Sequence, residues 1–367
     1  MGERFCGKQN EEERKDRIMV TIKEIAAECG VSVATVSNVL NGKSNVGVET
    51  RKKVLDAVRQ TGYQPDYVAR GLRKKKTNMI GIIVEDICQF STPAIMEGVM
   101  QYCEKKKYRT VIQNLRLYAR WGEIWYENDN AYRSILNPVV QEMASIKVDG
   151  LLYVAGHARV VRYFNEVMAM PTVVAYAYTH ATYTPVVVMD DEKAACEMTR
   201  YLISMGHRKI GILAGRVDNI HTRSRLRGHQ KVLFEENILY NPGWVRYGDW
   251  ERSSGYRFAG ELLEEGVTAI FCMNDHMAGG VYDYFSEHCI RVGEDISVTG
   301  FDNRESSQYC SPGLTTMELP LTEIGTEAAA ILLERLESEE ENMPNIVLER
   351  SIPCRLIERE SVKRITV

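Results

Sequence analysis

Val20 to Lys76 reads VTIKEIAAECGVSVATVSNVLNGKSNVGVETRKKVLDAVRQTGYQPDYVARGLRKKK. Thr21 and Glu24 have the T-x-x-E spacing of a capping box, so a helix starts at residue 22, and Gly30 supplies the turn that ends it. Ser32 then caps a second short helix that runs out at Asn41-Gly42. Two short helices joined by a glycine-containing turn form a helix-turn-helix. Ile25, Ala26, Val31, Val36 and Leu40 have the spacing to fill the crossing between them, which turns Val33, Ala34, Ser37 and Asn38 outward. That outward face has the size and chemistry of a major-groove reader.

Charge agrees with this reading. Residues 21 to 76 hold eleven Lys and Arg against five Asp and Glu, residues 1 to 20 balance at five each, and the whole chain carries a net charge of -4. Basic character is therefore confined to one end, where it attracts the phosphate backbone, while the acidic remainder avoids coating the molecule in nucleic acid. Pro65 stops a third helix, and Asp66 caps a short helix from Tyr67 to Arg73 that places Val68, Ala69 and Leu72 on one face.

The remaining composition narrows the class. A chain of 367 residues, 44% apolar and 26% charged, has room for two or three ordinary globular domains. No run of 18 apolar residues occurs, and the first nineteen residues are polar and charged. Neither a membrane span nor a secretory signal is expected, which points to the cytoplasm. Nine cysteines with no C-x-x-C pair suit reduced thiols, and neither a metal site nor a cofactor is expected.

Beyond Lys76 the pattern alternates between strands and helices. Met79–Glu85, Thr110–Asn114, Gly150–Val154, Thr172–Tyr176, Val186–Met189, Ile210–Ala214, Ala269–Met273 and Ile296–Gly300 read as buried strands. Helices fall at Pro93–Lys106, Ile135–Ile146, Glu192–Met205, Arg223–Glu236, Ser253–Glu265 and Met277–His288. Repeated β-α-β units imply parallel sheets, and this length implies two lobes. The expected fold is an N-terminal all-α helix-turn-helix domain followed by a two-lobed α/β core. Ligands of such sheets bind beyond the carboxyl ends of the strands, which singles out Asp86, Asn274-Asp275 and Asp302. Asp275, just before a helix, also suits a capping role.

At this level of detail the chain resembles the lactose-repressor/galactose-repressor (LacI/GalR) family of bacterial transcription regulators. The resemblance rests on ATVSNVLNG, TRKKVLDAVRQTGYQPDYVARGLR, IGIIVED, KVDGLL, YLISMGHRKIGILAG, GDW, FCMNDHMAGG, DISVTGFDN and LTTMEL, in that order and spacing. It implies a periplasmic-binding-protein-like core, a palindromic operator, a small sugar-like effector and a homodimer or tetramer. The tail from Ile346 to Val367 has no leucine heptad, which favours the homodimer.

The domain division expected on this basis is a polar extension over 1–19, a DNA-binding domain over 20–65, and a hinge helix with linker over 66–76. An N-terminal lobe takes 77–184 with 314–340, and a C-terminal lobe 185–313 with 341–367. The resemblance implies that Val33, Ala34 and Asn38, with Ser37 beside them, face base edges. Val33 and Ala34 can offer only apolar contacts, while an Asn suits adenine. Thr21, Ser32, Thr35 and Asn45 would meet the backbone. Val68, Ala69 and Leu72 would enter the minor groove, with Leu72 as the wedge. Phe90, Tyr176, Arg225, Trp250, Asn274 and Asp302 would line the effector cleft.

Three features depart from the family pattern. Tyr176 stands where several sugar-binding relatives carry Asp or Arg, Gln89-Phe90 replaces Asn-Pro-Phe, and the segment from Arg116 to Asn137, with Trp121, Trp125 and Tyr126, is longer than usual. A protein corepressor, as in the catabolite-control branch, is the alternative mode of control. An enzyme is not expected, for the sequence has no G-x-S-x-G, P-loop or G-x-G-x-x-G after a strand. His207, the tempting base, precedes a strand as a turn residue.

Overall fold

The computed structural model describes residues 20–40, 42–63, 76–122, 129–162, 170–338 and 348–365. Readings that fall on the N-terminal extension, on the hinge with Val68, Ala69 and Leu72, and on Trp125 and Tyr126 lie outside these residues. The chain divides into two compact units, Met1–Thr77 and Asn78–Val367.

In the first unit α1 (Ile22–Cys29) begins at the expected capping box: the Thr21 hydroxyl accepts from the Glu24 amide, and the Glu24 carboxylate accepts from the Thr21 amide at 2.6 Å. Gly30 ends it at φ 64°, left-handed backbone that costs glycine little. In front of α2 (Val33–Leu40) the Ser32 hydroxyl accepts from the Thr35 amide at 3.1 Å. Then α3 (Val48–Thr61) closes a miniature core of Ile25, Ala26, Cys29, Val36, Val39, Val54 and Ala57. Two assignments shift by a fraction of a turn. Val39 is buried and Leu40 only half-buried, while Val33, expected to face outward, packs partly against this core.

The second unit starts with β1 (Met79–Val84), α4 (Thr92–Lys105), β2 (Arg109–Asn114), α5 (Leu117–Trp121), α6 (Asp129–Ser145) and β3 (Gly150–Val154). β4 (Val160–Val161), β5 (Thr172–Ala175), β6 (Tyr178–Thr179) and β7 (Val186–Met189) follow. Next come α7 (Asp191–Ser204), β8 (Ile210–Ala214), α8 (Ile220–Glu235), β9 (Val245–Tyr247), α9 (Arg252–Glu264), β10 (Ala269–Cys272), α10 (Asp275–Glu287) and β11 (Ser297–Thr299). β12 (Thr316–Glu318), α11 (Leu321–Glu337), β13 (Glu349–Ile352) and β14 (Arg355–Ile357) complete it.

Two parallel sheets result, ordered β13-β7-β5-β3-β1-β2 and β11-β10-β8-β9. The expected lobe boundary at residue 184/185 is corrected here. β7 pairs with β5 in the first sheet, and β13 adds to its edge beside β7. The sequence reading places both stretches in the C-terminal lobe. Periodicity identifies a buried strand but carries no information about which sheet will receive it. The chain therefore leaves the first lobe after Met189, returns near the antiparallel β12–β14 pair, and leaves again after Ile352.

The long segment from Arg116 adds to the first lobe's outer core. Leu117, Tyr132 and Leu136 are buried there with Ile83, Leu151 and Tyr153.

Candidate functional site

On the helix-turn-helix, the side chains singled out by sequence differ in exposure. Ala34 is exposed, and Ser37 and Asn38 are half-buried on the same helix; Thr21, Ser32 and Asn45 are exposed and Thr35 is half-buried. Ser32 and Thr35 are joined hydroxyl to hydroxyl at 2.9 Å. Val33 contributes less to the outer face than its spacing implies, because part of it packs inward.

The second site is a cleft at the carboxyl ends of both sheets. The first lobe contributes the segments after β1, β3 and β5, and the second those after β8, β9, β10 and β11. Two ring contacts cross between them: Tyr176 meets His221 at 5.9 Å, and the Arg304 guanidinium lies 4.3 Å from the centre of the Phe90 ring.

Arg225, on α8, is the most heavily anchored member. Its Nε donates to Asp191 at 2.7 Å, its Nη1 donates to the Met273 carbonyl, and its guanidinium rests against the Phe301 ring. Asp191 opens α7, where the chain crosses from β7 into the second lobe, and its other oxygen lies 2.7 Å from His221 Nδ1. Burial would raise this carboxyl, but His221 and Arg225 together outweigh burial and hold it below the ordinary range. Tyr176, at φ 67°, is buried, and that burial drives its hydroxyl far upward, so the phenol stays neutral.

Trp250 sits at φ 74° and covers Gly215 so closely that a Cβ there would fall 2.0 Å from the indole. Only glycine leaves room for the ring. Asn274 proves to be a framework residue: its Oδ1 caps α10 by accepting from the Met277 amide at 2.8 Å, and its Nδ2 donates to the Trp250 carbonyl at 2.9 Å. The cap was expected of Asp275. That residue instead accepts from the Thr316 hydroxyl at 2.6 Å and the Arg304 amide at 2.7 Å.

Asp302, at φ 112°, accepts from Arg304 Nε at 3.4 Å. Burial, followed by the neighbouring charge of Asp302, pushes Asp275 up to about 7, and burial also raises Asp302 against the pull of Arg225 and Arg304. Asp86 is committed to the framework, accepting from the amide of Cys88 in its own loop and from that of Ala119 on α5.

Of the six expected cleft residues, Tyr176, Arg225 and Trp250 gather around Asp191, His221 and Phe301, while Asp302 and Phe90 gather around Arg304. Asn274 supports the Trp250 backbone. Sequence reasoning missed Asp191, His221 and Arg304. Asp190-Asp191 lies at the end of a predicted strand and would have been found by the rule that found Asp302. His207 is buried between Thr268, Ser297 and the Lys363 carbonyl, which ties the C-terminal segment to the second sheet.

A helix-turn-helix followed by a two-lobed core with a polar interlobe cleft defines a ligand-responsive DNA-binding regulator. Comparison with known proteins gives the same answer. Residues 21–66 match the model of bacterial regulatory proteins of the lacI family, and residues 199–362 match the periplasmic binding protein-like domain. The chain is 32% identical over 344 residues to the HTH-type transcriptional repressor PurR of Aliivibrio salmonicida, covering 91% of this chain and 99% of that protein. It is 32% identical to the ribose operon repressor of Haemophilus influenzae over 333 residues, 90% of this chain and 96% of that one. A crystal structure of the lac repressor dimer bound to operator and the anti-inducer ONPF matches with a TM-score of 0.74 at 25% identity, over 94% of this chain and 99% of that one. The chain belongs to the LacI family, and its function is effector-controlled, DNA-binding transcriptional repression. Among the described residues no helix is long and apolar enough to cross a membrane.

Proposed function

We propose that this repressor acts in the cytoplasm as a homodimer on a palindromic operator, and that a sugar or sugar derivative in the interlobe cleft sets its affinity. Ala34, Ser37 and Asn38, with the exposed part of Val33, read base edges: the apolar pair suits a thymine methyl and Asn38 suits adenine. Thr21, Ser32, Thr35 and Asn45 set the register on phosphates. Val68, Ala69 and Leu72, outside the described residues, are assigned to the minor groove.

The observation that carries the control mechanism is the pair of side-chain contacts across the cleft, Tyr176 on His221 and Phe90 on Arg304. A ligand entering there must replace or tighten both. It therefore binds the open and closed lobe arrangements with different affinity, which is the thermodynamic requirement for control. Its action is binding without turnover of the ligand.

Thermal unfolding with ribose, hexoses, disaccharides and sugar phosphates tests the reading, since a ligand at 100 times its dissociation constant adds about 2.7 kcal/mol. A stabilising ligand whose effect vanishes in Trp250→Ala, and which changes operator retention in a gel-shift assay, is expected. A stabilising ligand unaffected by Trp250→Ala would move the site elsewhere, and operator binding indifferent to the whole panel would favour a protein corepressor.

A further inference from the structure

The cleft's hydrogen-bonding groups are not equally available. Asp191 spends both oxygens on His221 and Arg225, Asp275 on Thr316 and the Arg304 amide, and Asp86 on two backbone amides. Deeper in the first lobe, Glu85 accepts from Tyr153, the Gly156 amide and Arg159. Asn274 uses its oxygen and its amide group on the framework. A pocket selecting a neutral sugar through its hydroxyl protons needs open acceptors, and of the cleft carboxylates Asp86, Asp191, Asp275 and Asp302 only Asp302 has an oxygen with no donor among the described residues.

Donors show the opposite balance. Arg304 commits Nε to Asp302 at the long distance of 3.4 Å, and neither of its terminal nitrogens donates to any described residue. Its side chain is 34% exposed, and the Phe90 ring beneath it fixes the plane of the guanidinium. Arg225 likewise leaves Nη2 without an acceptor among the described residues. His157, at the end of the segment after β3 and edge-on to Tyr118 at 5.4 Å, is lowered to about 4 by desolvation and then by the neighbouring His221, Arg304 and Arg159, so it stands there as a neutral imidazole able to donate one hydrogen bond. A planar fork with two open donors suits an oxyanion, which it can engage in a bidentate manner.

We infer that the effector is a hydroxylated anion, a phosphorylated sugar or a sugar acid, whose oxyanion is held by Arg304 with His157 beside it. This rests on the effector-controlled reading above and names the ligand class of that site. Arg225, Asp302 and Trp250 engage the hydroxylated ring, and Arg304 is the specificity-determining residue.

The test is isothermal titration of the full chain with matched probes: glucose, gluconate and glucose 6-phosphate, then ribose and ribose 5-phosphate, with inorganic phosphate as a competitor. A charge-assisted fork predicts that an anionic member binds at least ~10-fold tighter than its neutral counterpart. The ratio should fall toward one in Arg304→Gln and take an intermediate value in Arg304→Lys, which keeps the charge and loses the fork. Preference for gluconate or for the phosphate esters separates the two sources of the anion. Tighter binding of a neutral sugar, a preference untouched by Arg304→Gln, or binding by none of the anions would each overturn the inference. A neutral sugar lost in Trp250→Ala would do so while leaving effector control intact; operator binding indifferent to every probe would instead count against effector control itself.

Discussion

The helix-turn-helix and the cleft solve the same problem, presenting polar side chains to a partner, in contrasting ways. In front of α2 two polar side chains are positioned locally: Ser32 caps the helix it precedes, and its hydroxyl partner Thr35 is three residues away. In the cleft the partners lie far apart in sequence. Asp191 reaches Arg225, Arg225 reaches Met273, and Asp275 reaches Thr316. One site is held by contacts a few residues apart and the other by a network that joins distant segments, so they should fail differently when a member is removed.

Arg225→Ala makes the sharpest break. It leaves the buried Asp191 carboxylate with His221 alone, and breaking a buried ion pair costs about 3–5 kcal/mol. Urea denaturation of the core should show a loss of that size; a loss no greater than for a surface arginine would mean that the network is not cooperative.

A titration separates the regions next. Asp275 keeps a proton up to about 7 when folded, whereas its ordinary value is 3.8. The native state thus binds the extra proton at Asp275 between those values, so the contribution of this group to core stability falls as pH rises from about 4 to about 7 and levels off above. Asp191, held low, has the opposite sign: the stability it contributes is lost as the pH drops below about 4. The imidazoles of His157 and His229, each held at about 4 by burial, contribute with the sign opposite to that of Asp275 over the same range, so the readout is the difference in urea unfolding between wild type and Asp275→Asn. The stability of Asp275→Asn relative to wild type should rise from pH 4 to 7, and a difference independent of pH would contradict the assignment.

On the DNA side, Asn38→Ala should redistribute base preference by about 1–3 kcal/mol at one operator position, read by binding-site selection. Lys43→Ala should weaken all duplexes alike. An unaltered consensus for Asn38→Ala would remove that residue from base reading. The smallest effect belongs to Ser32→Ala, which removes one helix cap and should lower the stability of the N-terminal unit by about 1 kcal/mol, with the core transition unmoved.

The same contrast explains what could be read from the sequence. The capping box at Thr21 and Glu24, the turn at Gly30 and the cap at Ser32 are all written within a few residues, and they stand where they were expected. Strands such as Gly150–Val154 and Ile210–Ala214 matched to the residue because burial on both faces leaves a continuous apolar run. Sheet membership of β7 and β13 was not legible, because a strand's neighbours are chosen in three dimensions. Nor could residue type reveal that Asn274 is committed to a cap and a carbonyl while Arg304 is left open. That distinction depends on which donors arrive from elsewhere in the chain.

The interleaved lobes bear on how the protein is made. On the ribosome, the three helices of the N-terminal unit are complete once Thr61 has emerged. The first lobe must wait, because α11, which packs against it, and its edge strand β13 follow the whole excursion of the chain through the second lobe. A nascent chain stalled before residue 349 should already hold a DNA-binding head, yet its first lobe still exposes the β7 edge. Termination before β13 would then release a head without its regulator, and completion of the first lobe is what joins control to DNA binding.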